Sequence, residues 1–349
     1  MPYRTRRPPR ALRVHGLMTP LHPPPSSLSR RNINTTSNTQ SQAPSPPIPG
    51  DAITLPSGRQ LGYHTAGPPT GTPIIYIHGH PDSGLSITGA LETRAAHDRH
   101  VRWIGPDRPG VGLSTPYDAQ EVLDYPSDIE SLVAHLGLQR SGYYMVGTSG
   151  GTGFALACAK HLPPSELRGV GICAGVGPCE AGFASMSDLQ CQALEAWRDH
   201  PAEFREWYET QYVPLAQLDD DGVALARKLR ADFEAGFEGR DREVLLEENA
   251  FNMAVRVLRQ AWCQGAWAHA KGMEFHWRPW GFRLEDVAFP GRVRLWYGGE
   301  DVSATPAMGR FMAERLGGDA VYREFKGESH YTLWREGNLQ AMLRDLLGR

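Results

Sequence analysis

The sequence predicts an α/β fold: a mostly parallel eight-stranded sheet flanked by helices, with a helical insertion before the last two strands. Three observations carry this. From Asp51 onward, short apolar runs rich in β-branched and aromatic residues alternate with longer mixed segments. Most of these runs lack the polar alternation of a strand with one wet face, so both faces are covered, as in a parallel sheet. Between residues 178 and 288 the rhythm stops, and apolar residues recur three and four apart, as at Leu225, Leu229 and Phe233, which is helical spacing.

In chain order, a hairpin opens the body: Ala52–Leu55, a turn at Pro56-Ser57-Gly58, then Gln60–His64. The buried runs follow at Ile74–Ile77, Val101–Ile104, Tyr143–Val146, Val170–Ala174 and Val293–Tyr297, with a short strand at Val321–Phe325. Helices are expected at Leu85–His97, Ser127–Leu136, Gly150–His161, Pro306–Leu316 and Leu339–Leu347. The insertion reads as helices Ser187–Asp199, Ala202–Tyr212, Val223–Ala235 and Glu243–Trp262. The expected organisation is therefore a leader at 1–50, a core from 51–177, a helical lid at 178–288 and the rest of the core at 289–349.

Charge is unevenly spread over the 349 residues. The net charge is −3, yet residues 1–50 hold seven Arg and no acidic residue, which leaves −10 for the body. An acidic body argues against a nucleic-acid surface. The leader also holds 11 of the 28 prolines, with too little apolar content to offset ordering, so it is expected to be disordered. Its Arg- and Ser-rich, acid-free composition also fits a mitochondrial signal, although its prolines would break the amphipathic helix of such a signal. No run approaches the about 18 apolar residues needed to span a bilayer, so a soluble, cytoplasmic protein is expected, with mitochondrial import as the alternative. Five cysteines without C-x-x-C spacing indicate free thiols. Within 178–288 the charge is −8, and six of the nine Trp lie there (197, 207, 262, 267, 277 and 280), suggesting an aromatic ceiling over a pocket between lid and core.

The segment from Tyr143 runs as a strand into Gly147-Thr-Ser149-Gly150-Gly151 and then a small-residue helix. That is a nucleophile elbow: a serine on a strained strand-to-helix turn, with Gly147 and Gly151 where backbones pass too close for a β-carbon. The helix N-terminus beyond it favours developing negative charge. A dinucleotide-binding reading of the same glycines is disfavoured, because the next strand ends at Gly175 without an acid. A serine nucleophile needs a base near neutral pKa, and the imidazole needs a carboxylate to fix its tautomer. Asp301 follows the strand Val293–Tyr297, with Glu300 as the alternative acid, and His330 follows Val321–Phe325. An oxyanion hole needs two backbone N–H groups. Gly150 supplies one and His80, in the loop His78-Gly79-His80-Pro81, the other. A metal reading of His78 and His80, or of His97 and His100, lacks a carboxylate cluster at ligand spacing, and no cofactor is expected.

With these residues in place the chain resembles the α/β-hydrolase superfamily, in its proline-iminopeptidase-like and esterase-like branch. The resemblance rests on His78–Pro81, Asp107-Arg-Pro-Gly-Val-Gly-Leu-Ser114, Gly147–Gly151, Gly298-Gly-Glu-Asp301 and Gly327-Glu-Ser-His330. It implies a Ser149 nucleophile, an Asp301–His330 relay and a lid between the sixth and seventh strands, with Asp107 and Arg108 as a structural loop. Serine rather than aspartate at 149 disfavours epoxide hydrolysis and dehalogenation. The expectation is a serine hydrolase of a small-molecule carboxylic ester, working through an acyl-enzyme. Peptidase, thioesterase or C–C bond hydrolase chemistry is the alternative with the same triad, and a catalytically silent ligand-binding module is the second. The acidic lid disfavours anionic substrates such as acyl-CoA.

Overall fold

The computed structural model describes residues 48–89 and 100–349. Residues 1–47 of the leader and most of the expected helix Leu85–His97 lie outside the described residues, as does His97. A 3₁₀ turn, Gly84–Thr88, stands where that helix was expected to begin.

Eight strands form one sheet: β1 Asp51–Thr54, β2 Gln60–Ala66, β3 Thr72–Ile77, β4 Val101–Pro106, β5 Tyr143–Thr148, β6 Leu167–Cys173, β7 Arg292–Gly298 and β8 Ala320–Phe325. Their spatial order is β1-β2-β4-β3-β5-β6-β7-β8. The opening hairpin pairs antiparallel, Ile53 opposite Leu61, and β2 pairs antiparallel with β4. From β4 to β8 every pairing is parallel.

The covered strands explain the unbroken apolar runs. In β3, Ile75 and Ile77 face the helices α1 (Tyr125–His135) and α2 (Thr152–His161), through Ile129, Leu132, Phe154 and Cys158. Ile74 and Tyr76 face the opposite layer, where α11 (Glu336–Leu347) contributes Leu339, Met342 and Leu346. Successive strand side chains point to opposite faces, so a strand buried on both sides must be apolar throughout. Helix α10, Pro306–Arg315, begins with proline at its first turn, where the missing N–H costs nothing.

Between β6 and β7 the chain forms seven helices among the described residues: α3 Asp188–Asp199, α4 Pro201–Gln211, α5 Val213–Gln217, α6 Val223–Gly236, α7 Gly239–Leu246, α8 Glu248–Trp262 and α9 Trp267–Glu274. The single helix expected over Glu243–Trp262 is instead two. Glu247 leaves helical geometry at ψ 137°, and its carboxylate accepts the Ala250 N–H at 3.0 Å, capping α8 as a new helix. The lid has a core of its own, in which Trp197, Phe204, Tyr208, Tyr212 and Trp262 pack with Leu225, Leu229 and Phe233. Trp197 stacks on Phe204 at 5.1 Å.

Candidate active site

Ser149 stands on the turn from β5 to α2 with φ 48°, in the left-handed region that a residue with a β-carbon adopts only under constraint. Three hydrogen bonds supply that constraint: Ser149 N–H to Ala174 O (3.1 Å), Val176 N–H to Ser149 O (3.1 Å) and the Thr152 hydroxyl to Ser149 O (2.7 Å). The flanking glycines have steric reasons. A β-carbon on Gly147 would sit 2.6 Å from that of Ala155, and one on Gly151 would collide with the Ile77 carbonyl.

Asp301 leaves the end of β7 and is buried. Its Oδ1 accepts the N–H groups of Ser303 (2.8 Å) and Ala304 (2.9 Å), and its Oδ2 meets His330 Nδ1 at 2.8 Å. The neighbouring Glu300 is exposed. Burial pushes the His330 pKa down, but the charge and hydrogen bond of Asp301, with a further contribution from Asp241, raise it above the usual value overall. Ser149 and His330 line one cavity of about 340 Å³, and the Ser149 hydroxyl makes no hydrogen bond to a described residue.

The loop after β3 lies against the elbow: a β-carbon on Gly79 would be 3.0 Å from that of Ser149. His78 is buried, accepting the Arg108 N–H at Nε2 (3.0 Å) and donating from Nδ1 to Gly79 O (2.8 Å). Both ring nitrogens are thus engaged within the protein, and no metal-holding cluster of His, Cys, Asp and Glu occurs among the described residues. Arg108 was expected to be scaffold, and the structure puts its guanidinium behind both loops that flank Ser149. It donates to Gly79 O at 2.9 Å and to Gly150 O at 3.4 Å. Because a peptide is planar and trans, drawing the Gly79 carbonyl toward Arg108 turns the His80 N–H the opposite way. Gly150 occupies the first turn after the elbow, where N–H groups have no partner within the helix.

The His80 ring is packed against His276 (4.9 Å between centroids) and His269 (6.4 Å). Burial, then neighbouring positive charge, lowers the pKa of all three, to about 4 for His276 and about 3 for His269. Asp82, on the same loop, accepts the Ser83 N–H at 2.7 Å, and burial raises its carboxyl to about 6. His269, His276, Asp82 and the lid's Arg240 and Asp241 carried no motif, and only the spatial fold reveals them. The cavity wall from the lid includes Leu194, Phe233, Phe237, Met253, Val257 and Leu258, with Gln190 and His276 as its polar members. None of the six lid tryptophans lines it, so the aromatic ceiling is not there. Trp197 and Trp262 are consumed in the lid core, where their large ring surfaces are fully buried.

A strained serine after the fifth strand, an acid after the seventh and a histidine after the eighth define an α/β hydrolase. The chain belongs to that family, since the family model for the alpha/beta hydrolase fold matches residues 72–331. Among curated relatives, it is 26% identical over 223 residues to the proline iminopeptidase of Neisseria meningitidis serogroup A, covering 60% of this chain and 69% of that protein. It is 29% identical over 135 residues to the proline iminopeptidase of Arabidopsis thaliana, covering 37% of this chain and 34% of that one. The same fold occurs in a thermophilic esterase from Thermogutta terrifontis, with TM-score 0.56, 20% identity and coverage of 86% and 98%. It occurs also in the enol-lactonase of Burkholderia xenovorans LB400, with TM-score 0.56, 20% identity and coverage of 86% and 100%. No helix among the described residues is long and apolar enough to cross a membrane.

Proposed function

We propose that the protein is a serine hydrolase of small, uncharged carboxylic esters, with Ser149 as nucleophile, His330 as general base and acid, and Asp301 as its orienting partner. The observation that carries this reading is the 2.8 Å contact of His330 with a buried Asp301 on the wall of the cavity that also holds Ser149. Asp301 fixes the tautomer that leaves His330 Nε2 free to take the serine proton. Ser149 Oγ adds to the ester carbonyl, and the oxygen of the tetrahedral intermediate accepts from the His80 and Gly150 N–H groups. His330 returns the proton to the departing alcohol. Water, activated by the same imidazole, then hydrolyses the acyl-enzyme. The Ser149–His330 hydrogen bond closes when substrate is bound, as catalytic contacts in free enzymes are often open.

The substrate class follows from the cavity. Its lid side is mostly aliphatic and aromatic and, apart from Gln190 and His276, apolar, and Asp82 is the acidic side chain lining it. Peptidase action on a free N-terminus, suggested by the names of the relatives, is the second reading, and Asp82 is what favours it. A substrate ammonium would need an available carboxylate. One oxygen of Asp82 already accepts from Ser83 N–H and the Ser86 hydroxyl, which supports the uncharged ester instead.

Labelling by a fluorophosphonate probe and turnover of p-nitrophenyl butyrate against prolyl p-nitroanilide test both readings. Wild-type protein is expected to label and to prefer the ester, and Ser149→Ala to lose labelling and about 10³-fold or more in kcat. A folded wild-type protein that does not label would sink the hydrolase reading. A preference for the anilide would sink the ester assignment alone.

A further inference from the structure

The His330 loop is held from the lid as well as from the sheet. Arg240, at the start of α7, donates to Gly327 O at 2.5 Å and pairs with Glu328 at 3.3 Å. Its neighbour Asp241 accepts the hydroxyl hydrogen of Ser329, the residue before His330. On the other side of His330, the Tyr331 ring meets Phe237 of the lid edge-on at 5.4 Å. Four positions flanking the base, 327 to 329 and 331, thus touch a five-residue stretch of the lid, 237 to 241.

We propose that Asp241 and Arg240 are positioning residues for the His330 base, so that seating of α7 on the core is part of assembling the catalytic relay. This rests on the reading of His330 as the base. Without these contacts the loop keeps its internal bonds, such as Ser329 N–H to Thr332 Oγ1 at 2.7 Å, and its anchors on the sheet side, Glu300 N–H to Glu328 O at 2.8 Å and the Asp301–His330 contact, none of which ties it to the lid. Asp241 acts in two separable ways: its oxygen accepts from Ser329, and its charge favours the protonated imidazole. The titratable groups around His330 divide between two cavities. On the substrate side are Asp82, Tyr76 and the rings of His80 and His276, and on the other Glu238, Arg240, Asp241, Glu300 and Asp301, with Tyr331 shared by both. Glu328 of the same loop is paired with Arg240 at 3.3 Å and lies 4.0 Å from Arg335.

The test is the pH profile of kcat/KM and the separate kcat and KM of the full chain with p-nitrophenyl butyrate, for wild type, Asp241→Asn and Asp241→Ala. Asp241→Ala is expected to lower kcat about fivefold or more with KM within twofold, because the base is misplaced rather than the substrate. Asp241→Asn keeps an acceptor for Ser329 and is expected to recover most of that kcat. With the charge gone, its acidic limb should still move to lower pH by about 0.3–0.5 unit. A limb for Asp241→Asn that coincides with wild type overturns the proposal, as does a loss in Asp241→Ala that lies wholly in KM. If Asp241→Ala does not fold, the Asn variant decides alone. Ser149→Ala is the control: activity persisting there overturns the hydrolase reading itself, whereas a Ser149-dependent activity indifferent to Asp241 overturns only this inference.

Discussion

Arg108 shows how one side chain, far from Ser149 in sequence, sets the geometry around it. Its guanidinium is buried, pushed down to about 10 by burial, and so remains charged at neutral pH while holding the Gly79 and Gly150 carbonyls. Replacing it with Met keeps the apolar stem and removes the donors. Arg108→Met is expected to lower kcat about ten- to a hundredfold with KM changed little, since oxyanion donors act mainly in the transition state. Steady-state kinetics on an ester decides this, and an unchanged kcat would remove Arg108 from the oxyanion machinery. Ser149, Asp301 and His330 stand out in the sequence as a candidate set because each follows a strand in the order such a set requires, and the structure brings Asp301 to His330 and puts Ser149 and His330 on one cavity. Arg108 was legible only as part of a loop motif, because which carbonyls it reaches depends on β3, β4 and β5 lying side by side.

At the scale of elements, α9 and the turn after it contribute to the acid sensitivity of the fold, alongside the buried His78 and His80. His269 and His276 are buried with pKa values of about 3 and about 4, below their usual 6.5. A depressed imidazole leaves the unfolded chain binding more protons, so stability is full above pH 6.5 and falls as pH drops toward the folded values. For His276 alone the loss between pH 7 and pH 4.5 is about 2–3 kcal/mol. Urea unfolding at the two pH values should show that difference shrink by a similar amount in His276→Gln, and an undiminished difference would place the acid sensitivity elsewhere. The strands were readable in sequence to within a few residues at each end, because double-sided burial demands apolar runs. The break at Glu247 was not, because α7 and α8 share helix-forming residues across it and only the capping bond to Ala250 marks the boundary.

For the molecule as a whole, the cavity exists only where core and lid meet. Its wall gathers residues from Tyr76 to Trp334, with Met253, Val257 and Leu258 projecting from α8 over Ser149. Filling it from the lid should cut the length of acyl chain accepted. Val257→Trp is expected to lower kcat/KM for a p-nitrophenyl hexanoate about tenfold or more while leaving the acetate within about threefold, a contrast that steric exclusion of a few methylenes can supply. Equal losses on both esters would mean that the acyl group lies elsewhere. By itself the sequence determined the α/β class, the strand order along the chain, the elbow and the pairing of an acid with a histidine, because hydrophobic periodicity, glycine placement and residue chemistry are local properties. Only the tertiary structure decided that Asp301 rather than Glu300 meets His330, that Trp197 and Trp262 pack among the Tyr, Phe and His rings of the lid instead of lining the cavity, and that Arg240 and Asp241 reach the His330 loop. Those outcomes depend on which surfaces approach in space, and contacts between residues 88 positions apart leave no periodicity for a sequence to display.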